Sequence, residues 1–462
     1  MDTKLERVAR GVGVLVADKP AGLYQVKLQA GTHTSEELIK LGGGPFVKSY
    51  PPLRFSSPVP LDGTYKTHEF HRSNAEECSR VEHVTKGTGS HIYIFARDWT
   101  SKNRDQGGKA STGPYENPAR GLRLVDESGV ELVDFEEQSA TELEWEPWAA
   151  CNVSVEPGSY ILRLNAPDGT VWERTLVASP GWQTQCFLLQ RDYKDLRIPD
   201  LPGATVLLRE KGLGFTPGSS ELRLIELARL GLMEERPILS AEVEELLAVK
   251  FENPMLGIFG AHLLLNLELK RGRPYEPGLL RHVVGKLRDL LNEPHQDVEA
   301  LAWKAGLGDE DYRFKMPPML RRSWTLMTHA SADRPEVIPQ DSLPTRMYDC
   351  ILAEGPWLVW SGEQSDDEES QVLETLTLCL QSQMPAQEPP GDPEPPGQYA
   401  PPSFGESLAQ ADFEFPQAAP EPKSDIRELT EQLNVPRSVV EKYFKQATDK
   451  AKTFKRRDRR RG

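Results

Sequence analysis

Long apolar runs are missing from this chain. The most continuously apolar stretch, Phe251 to Leu269, gives way to Asn266 and Glu268, short of the roughly 20 residues that a membrane-spanning helix needs. The beginning of the sequence, MDTKLERVARG, is polar and precedes no apolar segment of the signal-peptide kind. We therefore expect neither a membrane protein nor a secreted one.

Cysteine is also scarce, with five in 462 residues: Cys78, Cys151, Cys186, Cys350 and Cys379. Their number is odd, their spacing is wide and no C-x-x-C pair occurs. The pattern therefore fits neither a disulfide framework nor a structural zinc site. Such cysteine usage favours a reducing compartment and predicts a cytoplasmic protein.

Familiar catalytic motifs are absent too. The sequence contains no G-x-S-x-G elbow and no H-E-x-x-H helix. Lys48 and Ser49 stand at the Walker offset from Gly42, but Val47 occupies the place where a phosphate loop needs glycine. We expect no catalytic residues, no cofactor and no enzyme activity. The formal net charge of −15 also argues against nucleic-acid binding by the body as a whole.

What the sequence does contain predicts a multidomain α+β protein. Short strand-like segments, separated by Gly, Pro, Asn and Asp, predict an antiparallel β-rich domain at residues 1–118. A second β-rich module follows at 119–200, where the Asp168-Gly169 turn predicts that Tyr160 to Asn165 pairs with Val171 to Leu176. The segment from Cys151 to Gln185 resembles transthyretin-like and carboxypeptidase-regulatory-like sandwiches, and this resemblance implies a sandwich-like interaction or spacer module.

Helical periodicity predicts an all-α domain at residues 218–362. Asn253 as N-cap and Pro254 as first helical residue begin its central helix, which is apolar on most faces. The other predicted helices are Ser219 to Leu232, Ser240 to Lys250, Pro277 to Leu291, Asp297 to Ala305 and Leu343 to Glu354.

Residues 363–423 are predicted to be a disordered, acidic and proline-rich linker, since their composition buries too little apolar area to offset chain entropy. One isolated helix, Gln371 to Gln381, interrupts it. The C-terminal unit, residues 424–462, recovers a helical pattern, with one helix from Asp425 to Leu433 and another from Pro436 or Arg437 to Lys450. Residues 424–444 resemble the helix-turn-helix of transcription regulators.

The C-terminal unit also has the most uneven charge distribution, because the stretch from Asp449 to Gly462 contains eight basic residues and two acidic residues. In the helix-turn-helix interpretation the second helix faces bases or phosphates, and the tail contacts phosphates without reading sequence. A helical hairpin that docks on a protein explains the same pattern. The candidate residues for binding nucleic acid or a protein partner are Arg437, Ser438, Lys442, Lys455, Arg456, Arg457, Arg459, Arg460 and Arg461.

Four histidines lie close together in sequence: His68, His71, His83 and His91. Imidazoles with a nearby carboxylate such as Glu77 could hold a metal ion. In an extended strand, however, His68 and His71 point to opposite faces, which fits chelation poorly. We therefore predict no metal site, and retain the four histidines as the candidates for one.

Four phrases of the sequence resemble uncharacterised bacterial proteins associated with caspase-like peptidase systems of the conflict or defence type. They are ASPGWQTQCFLL, KFENPMLGIFGAHLLL, EPHQDVEALAWKAG and MPPMLRRSW, and the similar region spans about residues 177–362. The resemblance implies an association with such a peptidase system, but it assigns no catalytic residue to this chain. It implies an accessory or effector protein, with a caspase-like peptidase as a partner and the linker as a site of proteolytic release.

The leading hypothesis is a cytoplasmic, non-enzymatic adaptor that binds protein partners and presents its C-terminal unit from the linker. One alternative is a DNA-binding transcription regulator acting through that unit. The second alternative is a metal-dependent hydrolase using the four histidines.

Overall fold

The computed structural model describes residues 9, 15–30, 33–50, 56–62, 64, 67–98, 116–143, 147–194, 196–233, 253–272, 278–352, 354–362, 371–383 and 425–458. They form a mixed α+β structure, as predicted. The predicted helix Ser240 to Lys250, most of the predicted linker and the candidates Arg459, Arg460 and Arg461 lie outside the described residues.

The described strands are β1 (Gly22–Ala30), β2 (His33–Leu41), β3 (Val84–Thr85), β4 (Ser90–Arg97), β5 (Leu122–Val125), β6 (Glu131–Asp134), β7 (Ala140–Glu142), β8 (Trp148–Val155), β9 (Gly158–Asn165), β10 (Val171–Ala178), β11 (Trp182–Tyr193), β12 (Leu196–Pro199), β13 (Thr205–Glu210) and β14 (Trp360–Ser361). The α-helices are α1 (Glu69–Arg80), α2 (Phe135–Gln138), α3 (Ser220–Met233), α4 (Pro254–Arg271), α5 (Leu279–Leu291), α6 (Gln296–Lys304), α7 (Arg321–Asp333), α8 (Pro344–Met347), α9 (Gln371–Gln383), α10 (Ile426–Leu433) and α11 (Arg437–Asp458).

The largest sheet has the order β12-β11-β4-β8-β3, with β13 also paired to β11 and β7 to β8. Strand β4 lies in its middle, antiparallel to β8 and parallel to β11. Hydrogen bonding therefore crosses the predicted boundary at residue 118. The parallel pairing departs from the expected antiparallel pattern, and the long chain segment between β4 and β11 makes that crossover possible.

Almost all side chains of strand β4 are buried, although the alternation of residues 91–96 alone would be explained by a half-buried strand. The reason is α1, which packs over the sheet so that the Tyr93 hydroxyl donates to the Ala75 carbonyl at 3.0 Å. This helix was not predicted, because its residues are mostly polar and its main partners are distant in sequence.

The second sheet has the order β14-β10-β9-β5-β6. Its hairpin of β9 and β10 has the predicted register, with Asn165 opposite Val171 and Tyr160 opposite Leu176. At the turn, Asp168 accepts from the Thr170 amide at 3.0 Å and Gly169 has φ +89°, so that prediction is confirmed. Side chains of both sheets and of α3 and α4 share one hydrophobic core.

Helix α4 begins as predicted, since Asn253 Oδ1 accepts from the Met255 amide at 3.0 Å and Pro254 is the first helical residue. It ends at Gly272, which has the left-handed φ of 65° typical of a helix C-cap. Its residues from 254 to 267 are buried. The helix is therefore the packed central element that its apolar sequence predicts.

The predicted helix Leu343 to Glu354 is wrong. Only Pro344–Met347 is α-helical, followed by a short 3-10 turn, Tyr348–Cys350. Ile351 instead makes a β-bridge with Trp360, and Trp360 pairs with Glu173 of β10. Strand pairing at this point replaces the helix that local periodicity suggested.

Candidate functional site

The hairpin of β1 and β2 stands apart from the two larger sheets. Its strands pair along their whole length, from Gly22 opposite Leu41 to Ala30 opposite His33. Among the described strands neither pairs with a third, and the extensive packing of each is confined to the other. The outer edge of each strand therefore presents backbone N–H and C=O groups that no described strand satisfies.

Side chains alternate along a strand, so the hairpin has two distinct faces. One face is apolar, and its five apolar side chains are only half-buried: Tyr24, Val26, Leu28, Ile39 and Leu41. The opposite face carries Leu23 and Leu38, which are 70% and 65% exposed. Neither face is buried as a globular core would be.

The opposite face also carries a cross-strand charge pair. Lys27 Nζ lies 3.2 Å from Glu36 Oε1, and Gln25 Nε2 donates to Glu36 Oε2 at 2.8 Å. On the apolar face, Lys48 binds Glu37, and this hydrogen bond raises the pKa of Lys48. Exposed pairs of this kind add little stability but help to fix which residues face each other.

Exposed apolar side chains are frequent in the sequence segment that contains the hairpin. Of the thirteen large apolar side chains left exposed in the described residues, six lie between positions 15 and 47: Leu15, Val16, Leu23, Leu38, Phe46 and Val47. Concentrations of exposed apolar surface mark interaction sites in soluble proteins. We call the outer edges and both faces of β1 and β2 the hairpin surface, and take it as the candidate site.

Sequence reasoning found only half of this site. The alternation of Tyr24, Val26 and Leu28 predicted β1, but β2 was not predicted, because adjacent Glu36 and Glu37 obscure its alternation. The available signal was the pair of residues, Gly31 and Thr32, that separates two segments of equal length.

The four candidate histidines fall into two pairs at opposite ends of α1. His68 precedes the helix and His83 follows it, and a 12-residue helix spans about 18 Å. His68 and His71 are helical neighbours with ring centroids 5.7 Å apart, not the opposed strand residues that were expected. His71 Nδ1 accepts from the His68 amide, so it caps the helix.

The second histidine pair is engaged with the large sheet. His83 Nδ1 accepts from the Asn152 amide at 3.1 Å, and burial lowers the pKa of His83. His91 lies 3.6 Å from the Glu82 carboxylate, and burial is the main cause of its lowered pKa. Within the described residues no three His, Cys, Asp or Glu side chains are grouped as metal ligands would be.

The C-terminal unit is docked on α7. The Trp324 indole donates to the Asn434 carbonyl at 3.0 Å, and the Thr328 hydroxyl donates to Asn434 Oδ1 at 2.7 Å. Arg437 Nη1 donates to the Ala332 carbonyl at 2.6 Å, at the end of α7. The turn between α10 and α11 and the first residue of α11, the helix that the helix-turn-helix interpretation places against DNA, are therefore engaged with the protein itself.

Helix α9 was predicted to be isolated but packs against α11. Apolar side chains of α9, α10 and α11 form a separate core cluster, in which Leu376, Leu429 and Val440 are fully buried. The prediction of an isolated helix was wrong because the apolar face of α9 packs against apolar faces of α10 and α11, which lie far along the chain.

The candidate binding residues of α11 differ in their surroundings. Arg437 Nε also binds Glu441 at 2.8 Å, Ser438 is half-buried, and exposed Lys442 lies 5.0 Å from the ring centroid of Tyr443. Lys455, Arg456 and Arg457 fall within the helix, but their side chains are outside the description. Arg437, Ser438 and Lys442 are therefore the three candidates whose side chains the structure describes.

A polar cleft of about 190 Å³ lies between the second sheet and the helices. Gln296 donates from Nε2 to the Ser159 hydroxyl, and its buried Oε1 lacks a hydrogen-bond partner. Arg313, Lys315 and Glu293 also line the cleft, which contains neither histidine nor cysteine. Its polar groups could hold a small polar molecule.

His262 is a core histidine. It is 1% exposed on α4, and its Nε2 lies 2.9 Å from the Ser323 hydroxyl of α7. Burial, with a smaller contribution from Arg322, lowers its pKa to about 3. The ring therefore stays neutral in the folded protein between about pH 6.5 and pH 3, where an unfolded chain protonates it.

This difference predicts a pH-dependent contribution to stability. Below the ordinary pKa of 6.5 the unfolded state takes up a proton that folded His262 refuses, so stability falls from there toward pH 3. We expect this contribution to be roughly 2 to 3 kcal/mol at about pH 4.5. The difference in free energy of unfolding between the wild type and His262→Gln, measured by denaturant titration, should shrink by that amount between about pH 7 and 4.5. A difference that is independent of pH would contradict the assignment.

The chain matches no family model, and no curated protein or solved structure is similar enough to it to count as a match. Among the described helices, none combines the length and apolarity needed to cross a lipid bilayer.

Proposed function

We propose that this chain is a non-enzymatic adaptor whose binding surface is the hairpin surface. The observation that carries the proposal is a free-standing pair of strands with open outer edges and exposed Leu23 and Leu38. An open strand edge binds an extended segment of another protein by adding it to the sheet, and exposed side chains supply specificity. Strand addition needs no cofactor and no reaction.

In this proposal the remainder of the chain is a scaffold. The two larger sheets act as a sandwich-like body, and the C-terminal unit is held on α7 by Asn434 and Arg437. The resemblance to proteins of caspase-like peptidase systems makes such a peptidase one partner to test. Five free cysteines suit a cytoplasmic setting.

The test is capture of partners from the native host with a tagged chain, compared among three forms. Leu38→Lys adds charge to the hairpin surface, while Leu269→Lys adds the same charge at a position on α4 that is 79% exposed. We expect a partner to be retained by the wild type and Leu269→Lys and lost by Leu38→Lys. Purified partner should then bind Leu38→Lys at least about tenfold more weakly in calorimetry. Equal binding by both variants would overturn the assignment of the site.

A further inference from the structure

We infer that the hairpin surface pairs with a second copy of this chain, through β2 of each copy, and this inference rests on the proposed function. The two β2 strands run antiparallel about a two-fold axis at Leu38. The result is a four-stranded sheet with the order β1-β2-β2-β1. A symmetric pair is expected to use one edge of the molecule twice, so that edge must be complementary to itself.

The sequence of β2 meets this condition in one register. With Leu38 on the axis, each Leu38 faces its counterpart, and residues equally far from the axis face each other across the interface. Glu36 of each copy then lies opposite Lys40 of the other, twice over. Opposite charges directly across an antiparallel pair are stabilising.

Neighbouring registers lose this complementarity. In an antiparallel pair, residues that face each other must lie on the same side of the sheet, so the axis moves one whole residue at a time. An axis at Glu36, Glu37 or Lys40 places like charges directly opposite each other, which is destabilising. An axis at Ile39 pairs Lys40 with Leu38 and forms no ion pair.

The alternative edge, β1, is less suitable. Its only charged residue is Lys27, so no symmetric register of β1 joins opposite charges. Lys27 already lies 3.2 Å from Glu36 across the hairpin. With β2 paired to β2, Glu36 would lie between Lys27 of its own copy and Lys40 of the other, and a carboxylate has enough lone pairs to accept from both.

Pairing would also compensate for two weaknesses of the isolated hairpin, its marginal stability and its exposed apolar side chains. A two-stranded hairpin is only marginally stable in water, and adding strands stabilises it. Leu38, 65% exposed in one copy, would be covered by its counterpart at the axis. The half-buried apolar faces of both hairpins would join into one continuous face.

The inference is tested by charge reversal in the full chain, with molar mass followed across concentration by sedimentation or light scattering. The wild type and Leu269→Lys should be dimers. Glu36→Lys places lysines opposite each other twice, and Lys40→Glu places glutamates opposite each other twice, so each dimer should dissociate at least about tenfold more readily. Circular dichroism at equal concentration checks that each variant remains folded.

The decisive sample is an equimolar mixture of the two variants. In the mixed dimer, the lysines at positions 36 and 40 of the first variant face the glutamates at positions 40 and 36 of the second. The mixture should therefore dimerise more tightly than either variant does alone. A monomeric wild type, a dimer insensitive to both reversals, or a mixture that stays monomeric would overturn the inference. If the wild type is monomeric but binds a different protein, and the Leu38→Lys variant does not bind it, the dimer is ruled out and the adaptor function is supported. The failure of the dimer can thus be distinguished from the failure of the proposed function.

Discussion

Replacing Glu226 by alanine is expected to lower the free energy of unfolding by about 3 to 5 kcal/mol. Glu226 on α3 is fully buried and forms a two-point ion pair with Arg229, from whose Nε and Nη2 it accepts at 3.1 Å. It also accepts from the hydroxyls of Ser57 at 2.7 Å and Thr205 at 2.6 Å. Its removal leaves the Arg229 charge, only 3% exposed, without its ion-pair partner.

The control is the double variant Glu226→Leu with Arg229→Met, which removes both charges and keeps most of the volume. We expect it to recover most of the lost stability, since apolar replacement of a buried pair is often neutral. Chemical denaturation followed by tryptophan fluorescence measures both. A loss below about 1 kcal/mol in the single variant would show that the carboxylate does not compensate the arginine.

Cutting the chain between residues 391 and 420 is expected to leave the C-terminal unit bound to the body. A protease site inserted there tests this prediction, with gel filtration after cleavage. The fragment is held by its apolar contacts with α9 and by hydrogen bonds from α7 to Asn434. Proteolysis alone would then not release the unit, in contrast to the expectation from the family resemblance.

A charge placed in this interface should reverse the result. Val440 is fully buried against α9 and α10, so Val440→Asp should make the cut fragment elute separately, because a buried unpaired carboxylate is costly. Lys445→Asp, at an exposed position on the same helix, is the matched control and should still co-elute. Separation of the wild-type fragment after cleavage would contradict the docking.

Where signals were local, the sequence predicted the structure well. Asn253 and Pro254 mark the beginning of α4, and Asp168-Gly169 sets the register of β9 and β10, because each signal acts within a few residues. Helix α1 could not be predicted from local signals, because the contacts that hold it in place are made with residues far along the chain. Its Ser79 carbonyl accepts from the side-chain amides of Asn152 and Gln183, and the Ser79 hydroxyl accepts from the Phe215 amide.

The candidate site escaped prediction for the same reason. The patterning of β1 indicates a strand, but whether a strand ends in a core or at an open edge depends on where the other strands go. Likewise, the docking of α10 on α7 depends on Asn434 meeting Trp324, 110 positions earlier in the chain. Periodicity and capping rules describe neighbouring residues and contain no information on contacts between residues that are distant in sequence.

The central position of β4 has a consequence for how the protein forms during synthesis. Its neighbours β8 and β11 are made much later, and the second sheet gains its edge strand β14 only at Trp360. Contacts between such distant segments slow folding, since the intervening loop must close before they form. Strand β8 can pair with β4 once residue 155 has emerged, but the other edge of this apolar strand lacks its partner until residue 193 has emerged, a period in which chaperone binding would protect it from aggregation.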